Sequence, residues 1–162
     1  VTEEVLPERR LIFLDIDGVM NSRRSMEEMR KQGNPYLFDP EAMRQLNRII
    51  AQTGAEVVIS STWRHGWKIA QLRKHFEDQG FIGTIIDYTP TRPYNRTRGQ
   101  EILEWLQESS SKNKKQKIRF VIIDDDTDME PLMKHLVRTS MRTGLTELQA
   151  GIAIDRLKGV TW

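Results

Sequence analysis

The sequence predicts an α/β fold, a Rossmann-like three-layer sandwich on an open parallel sheet of about five strands. Three observations predict it. Short apolar runs of strand length, Leu11-Ile12-Phe13-Leu14, Val57-Val58-Ile59 and Val121-Ile122-Ile123, fit strands covered on both faces. Segments with helical spacing separate them, and alternating strands and helices imply right-handed crossovers. Each run ends in polar residues, at the carboxyl strand ends where open α/β sheets bind ligands.

The first strand spans Arg10 to Asp15 and ends at Asp15-Ile16-Asp17-Gly18. Met20 to Phe38 is densely charged and carries a Gly33-Asn34-Pro35 turn signal, so it reads as an irregular loop with room for one helical turn. Asp39 as N-cap and Pro40 at the first position open a helix with Met43, Leu46 and Ile50 on one face, and Gly54 stops it. Ala55 to Ser60 is the second strand, Trp67 to Gln79 the second helix, and Phe81 to Ile86 the third strand. Thr89-Pro90-Thr91-Arg92-Pro93 reads as loop, and Thr97 with Gln100 forms a capping box that starts a helix through Glu108. Ser109 to Lys117 reads as a polar, basic connector, and Ile118 to Ile123 as the fourth strand. A helix is expected at Met129–His135 and a short fifth strand at Leu136–Thr139. The Thr146/Gln149 capping box then opens a last helix to about Lys158.

Composition narrows the classes. A chain of 162 residues fits one domain, since domains run to about 100–200 residues. It has no cysteine, which excludes disulfide frameworks, cysteine nucleophiles and thiolate metal sites. No apolar run approaches the roughly 18 residues of a membrane helix. Glu3, Glu4, Pro7, Glu8, Arg9 and Arg10 stand where a leader would be apolar, so a cytoplasmic protein away from membranes is expected. Net charge is only +2, but Asp15, Asp17, Asp124, Asp125, Asp126 and Asp128 concentrate acid in two patches of an otherwise basic chain. An acidic focus in a basic surround suits a cation together with an anionic substrate.

The strand-end residues carry the chemistry. Crowding Asp15 and Asp17 is costly unless a cation or a proton neutralises one of them. Oxygen donors without His or Cys favour Mg²⁺ over zinc, with Asp15, Asp17, Asp124 and Asp125 as the ligand set. In one arrangement Asp15 attacks phosphorus, while Asp17 protonates the leaving oxygen and then takes a proton from the hydrolytic water. Gly18 permits the sharp turn between strand and loop. Ser60 and Ser61 can hold a phosphoryl oxygen, and Arg64 can fork onto a phosphate. Arg98 is a cation in the first turn of a helix, a position that a bound anion would compensate. The plainer readings are a solvated strand-end pair for Asp15 and Asp17, a turn for the serines, surface arginines, and an acidic N-cap role for Asp128.

Together these elements resemble the haloacid dehalogenase (HAD) superfamily of phosphohydrolases. The matching motifs are Phe13-Leu14-Asp15-Ile16-Asp17-Gly18-Val19, Val57-Val58-Ile59-Ser60 and Val121-Ile122-Ile123-Asp124-Asp125. Ser60-Ser61-Thr62-Trp63-Arg64, the segment from Arg98 to Leu106, Ile123 to Met129, and Thr143-Gly144-Leu145-Thr146 are similar to the HAD domains of Swiss Army knife RNA repair proteins and, in kind, to the phosphatase halves of polynucleotide kinase-phosphatases. The resemblance implies Mg²⁺, Asp15 as nucleophile, Asp17 as acid/base, and phosphorylated RNA or DNA ends as substrate, with a repair kinase or ligase as partner. The third motif is usually Lys, so Arg98 or Arg64 must fill it, and which two of Asp124, Asp125, Asp126 and Asp128 touch metal stays open. Met20 to Phe38 is too short for a cap domain, so a capless, open site is expected. Basic residues including Arg23, Arg24, Lys112, Lys114, Lys115 and Lys117 suit a polyanion, although Ser109 to Lys117 reads first as a solvated loop. Trp63 or Trp67 could stack on a base, with core packing the first reading for Trp67. The alternatives are a nucleotide phosphatase, a Toprim-type nuclease, and a receiver-like or other non-catalytic metal-binding module.

Overall fold

The computed structural model describes residues 8–91, 96–112 and 116–160. The readings placed on Glu3, Glu4, Pro7, Arg92, Pro93, Lys114 and Lys115 lie outside them. Five parallel strands form one sheet: β1 (Arg9–Leu14), β2 (Glu56–Ile59), β3 (Ile85–Tyr88), β4 (Ile118–Asp124) and β5 (Leu136–Arg138), in the spatial order β3-β2-β1-β4-β5. The helices are α1 (Arg23–Lys31), α2 (Pro40–Thr53), α3 (Ile69–Asp78), α4 (Arg98–Lys112) and α5 (Glu147–Leu157).

Alternation along β1 splits the core between two layers. Ile12 and Leu14 pack with Met43, Leu46 and Ile49 of α2, Leu72 and Phe76 of α3, and Ala150, Ala153 and Ile154 of α5. Leu11 and Phe13 face the other way, onto Ile102 and Trp105 of α4, with Met129 and Leu132. From β1 the chain first runs outward to β2 and β3, then crosses back to β4 on the far side of β1. The strand order therefore reverses between β1 and β4. The carboxyl ends there form the crevice in which such folds bind ligands.

Helix α2 runs as expected: Asp39 accepts from the Glu41 amide, and Gly54 ends the helix at φ 66°. Elsewhere the structure corrects the sequence reading. Met20–Phe38 is not loop throughout, because α1 occupies nine residues of it, opened by a Ser22/Ser25 capping box. The third strand begins at Ile85, four residues beyond Phe81. Phe81 instead packs edge-on against Phe76 of α3. Helix α4 continues to Lys112, so half of the expected connector is helical. The helix expected at Met129–His135 shrinks to a 3₁₀ turn at Met133–His135, because a proline at 131 disfavours helical backbone at the preceding Glu130. No helix among the described residues is long and apolar enough to cross a membrane. Over the carboxyl end of β1 the insertion before α2 amounts to α1 and its flanking turns.

Candidate active site

The first loop begins where β1 stops hydrogen bonding. The Asp15 amide still donates to Ile123 O at 3.0 Å, which ties this residue to β4. Gly18 then turns at φ 83°. A Cβ at this position would lie 2.6 Å from Asp125 Cγ, so only glycine lets the Asp125 carboxylate approach the first loop. Asp15, Asp124 and Asp125 offer oxygens that all lie within 4.8 Å of one another.

One cation enters this group. Arg98 Nη1 lies 2.6 Å from Asp124 Oδ2 and 3.2 Å from Asp15 Oδ2. Its approach is set by the backbone of α4. Thr97 and Gln100 form the expected capping box, and the Arg98 amide donates to Asp128 Oδ2 at 3.1 Å. The Gly99 amide donates to Asp128 O, and a Cβ on Gly99 would sit 2.3 Å from Met129 O. Glycine therefore lets α4 start hard against the loop after β4, which directs Arg98 at the carboxylates.

These bonds sort the fourth-strand acids. Asp124 and Asp125 join Asp15, whereas Asp126 accepts from its neighbour Thr127. Asp128 does not cap a following helix. It meets the amide of Arg98 at the start of α4, because no helix begins at Met129.

Burial and then Asp124 push the Asp15 carboxyl up to about 8, against the pull of Arg98. Burial raises Asp124 as well, with Arg98 drawing it back. Burial opposes the charge on Arg98, but Asp15 and Asp124 prevail and hold its pKa above the ordinary arginine value. Arg98 pairs with two of the three carboxyl groups, and in the absence of a further cation a proton on Asp15 relieves their crowding. An all-oxygen donor set of this kind fits a hard divalent cation such as Mg²⁺.

The Asp17 carboxylate lies outside that trio. Trp63 Nε1 donates to both of its oxygens, at 3.2 and 3.1 Å, and Asn21 Nδ2 donates to Oδ1 at 2.9 Å. Asp17 is thereby held at the mouth of the crevice by neutral donors. Trp63 stacks on Trp67, with ring centroids 5.2 Å apart, and Tyr36 stands edge-on to both rings. Both tryptophans pack on the core that contains Phe76.

Ser60 follows β2. Its amide donates to Leu14 O at 2.8 Å, which places it beside Asp15. Its hydroxyl is fully buried and has no partner among the described residues. A buried hydroxyl without a partner costs about 1–3 kcal/mol, and an oxygen of a bound group would relieve that cost. The Ser61 hydroxyl instead accepts from the Trp63 amide and caps the 3₁₀ turn Thr62–His65.

Arg64 is committed largely to the protein itself. Its Nη2 donates to both carboxylate oxygens of Glu101 in α4, at 3.0 and 2.9 Å, and its Nη1 donates to Ser61 O at 2.7 Å. Buried and paired with one carboxylate, Arg64 ties the loop after β2 to α4, and its Nε is a buried donor without a partner among the described residues. Of the two arginines, Arg98 is the one that pairs with Asp15 and Asp124.

Sequence reasoning missed three supporting residues. Asn21 holds Asp17 and also accepts from the Gly18 amide. Thr139, just after β5, donates to Gly18 O at 2.6 Å. Thr89, just after β3, carries a second buried hydroxyl without a partner. The strand-end rule that singled out Ser60 would have found Thr89 and Thr139 too.

A family model described as the HAD domain in Swiss Army Knife RNA repair proteins matches residues 11–150. The chain belongs to that family. The match runs from β1 into α5 and takes in every strand-end residue described above. Membership makes this HAD domain a phosphatase-type hydrolase in broad class and places it in an RNA repair setting. Comparison with the curated proteins and with the solved structures returns no significant match.

Proposed function

We propose that this HAD domain is a Mg²⁺-dependent phosphomonoesterase that works through an aspartyl phosphate and removes terminal phosphate, above all the 3′-phosphate, from RNA or DNA. The observation that carries the reading is the convergence of Asp15, Asp124 and Asp125, the first two paired with Arg98. Asp15, Asp124 and Asp125 would hold the Mg²⁺, which when bound offsets the repulsion between a carboxylate nucleophile and a phosphate dianion.

The residues of the chain divide the remaining work. Asp15 attacks phosphorus, and the bond to the leaving oxygen breaks as Asp17 gives that oxygen its proton. Asp17, now ionised, takes a proton from water. The resulting hydroxide attacks the same phosphorus, and the Asp15–phosphorus bond breaks to release inorganic phosphate. Trp63 and Asn21 fix the Asp17 carboxylate for both transfers. The Ser60 hydroxyl is free to donate to a phosphoryl oxygen, and Arg98 holds Asp15 against Asp124. The slight cover over the crevice suits a polymer end. The product, a free hydroxyl end, is what an end-joining ligase requires, so a repair kinase or ligase is the fitting partner in the cytoplasm.

The test is phosphate release, with Mg²⁺ or with chelator, from a chromogenic monoester, free nucleotides, and 3′-phosphorylated RNA and DNA oligonucleotides. Release that depends on metal and favours the oligonucleotides is expected, with Asp15→Asn slower by at least about 10³-fold. Unchanged release by Asp15→Asn removes Asp15 as nucleophile. Brisk turnover of nucleotides with none of oligonucleotides moves the substrate to small molecules.

A further inference from the structure

A second charged feature adjoins the crevice. Arg23 and Arg24 at the start of α1, and Arg142 in the turn after β5, line one groove with Thr143 and a single acid, Glu27. All three arginines are exposed. Among the described residues, none of the three makes an ion pair within 4 Å. Glu41 feels Arg24 only at longer range.

The groove is built on the same backbone as the active-site loop. The Arg23 amide donates to Met141 O at 2.8 Å, and the Leu145 amide donates to Val19 O at 2.8 Å. Thr139 holds Gly18, and the Ser22/Ser25 capping box fixes the first turn of α1. Arg23 and Arg24 are thus presented six and seven residues after Asp17, and Arg142 is brought to them by the Arg23–Met141 backbone bond. Their mutual repulsion is opposed within the groove only by Glu27.

Sheet order decides which way a substrate can lie. Trp63, Trp67 and Tyr36 wall the crevice on the β2 side, whereas the arginine groove lies on the β5 side. Asp15 is not among the residues that line the groove. A strand with further phosphates continues over it. We infer that Arg23, Arg24 and Arg142 form the track on which the backbone of a single-stranded polynucleotide lies when its terminal phosphate occupies the active site. This rests on the phosphatase reading above for the position of the terminal phosphate. The track itself is read out by binding.

The experiment uses the full chain and a fluorescent 3′-phosphorylated single-stranded oligonucleotide, with Asp15→Asn as the non-turnover background for binding. Replacing the three arginines together (Arg23→Gln, Arg24→Gln, Arg142→Gln) should weaken binding at least about tenfold. It should also flatten the salt dependence by about two in the log–log slope, since each single-strand phosphate contact contributes about 0.7. With Asp15 intact, the same triple variant should raise KM for the oligonucleotide and leave hydrolysis of a chromogenic monoester unchanged within about twofold. Glu27→Gln should act in the opposite direction, tightening binding. Equal affinity and equal salt slope in the triple variant overturn the track, as does a parallel fall in oligonucleotide and monoester turnover. Absence of phosphate release from every ester defeats the phosphatase reading instead, and the binding arms still decide the track.

Discussion

The first turn of α4 feeds two arginine–carboxylate centres that look alike in sequence and differ in charge balance. Its Glu101 meets Arg64, and the pair is closed: one carboxylate, one guanidinium, side chains 11% and 4% exposed. Its Arg98 meets Asp15 and Asp124 with Asp125 alongside, so one cation faces several acids. A balanced buried pair needs no further charge, although Arg64 Nε is left without a partner among the described residues. An unbalanced one persists only if a proton or a further cation completes it. The difference separates a structural tie from a candidate active site more sharply than burial does, because both centres are buried.

The largest effect expected from this contrast is on stability. Arg64→Ala should cost about 3–5 kcal/mol, since it strands a buried Glu101, as measured by denaturant unfolding. Pairing Arg64→Met with Glu101→Leu should recover most of that loss. If the single variant unfolds with an unchanged midpoint, the pair is not the tie described. Arg98→Ala should read out the other way, with a smaller loss of stability because Asp15 and Asp124 can take up a proton. Its phosphatase kcat/KM should fall by about 10²–10³-fold, or about 2.7–4 kcal/mol. An Arg98→Ala protein of normal activity would erase the distinction.

The smallest effect is the proton itself. In the metal-free protein Asp15 keeps its proton up to about 8, whereas the unfolded chain releases it near the ordinary 3.8. The stability this group contributes is full below the lower value and is lost as pH rises through the upper one. Mg²⁺ must displace that proton, so its affinity should rise about tenfold per pH unit approaching 8, about 1.4 kcal/mol each. Thermal shifts by Mg²⁺ at about pH 6, 7 and 8 measure this, and a shift independent of pH would mean that Asp15 is already ionised without metal.

Much of this was legible in the sequence where local chemistry and fold agree. Asp39, Pro40 and Gly54 bracket α2 because capping is a local matter, and Thr97 with Gln100 marks the start of α4 for the same reason. The aspartates at the ends of β1 and β4 were visible as strand-end polar residues, and the family resemblance they carried is the family the chain belongs to. What escaped depends on distant partners. Helix α1 is capped by Ser25 where a Glu or Gln would have signalled a capping box, and its charged surface hid the periodicity. Phe81 has the chemistry of a strand residue but is taken by Phe76. Nothing within five residues of Arg64 or Arg98 reveals that one meets Glu101 and the other Asp124. That assignment is made only when α4 docks.

The backbone bond from Asp15 to Ile123 has a temporal consequence. Asp15 is synthesised well before Asp124 and Asp125, with β2, β3 and α4 between them. Until β4 has slotted in beside β1, Asp15 is an ordinary solvated carboxylate with neither the raised proton affinity nor the cation partners of the finished crevice. A growing or partly unfolded chain therefore lacks the acidic cluster, which assembles only when β4 pairs with β1.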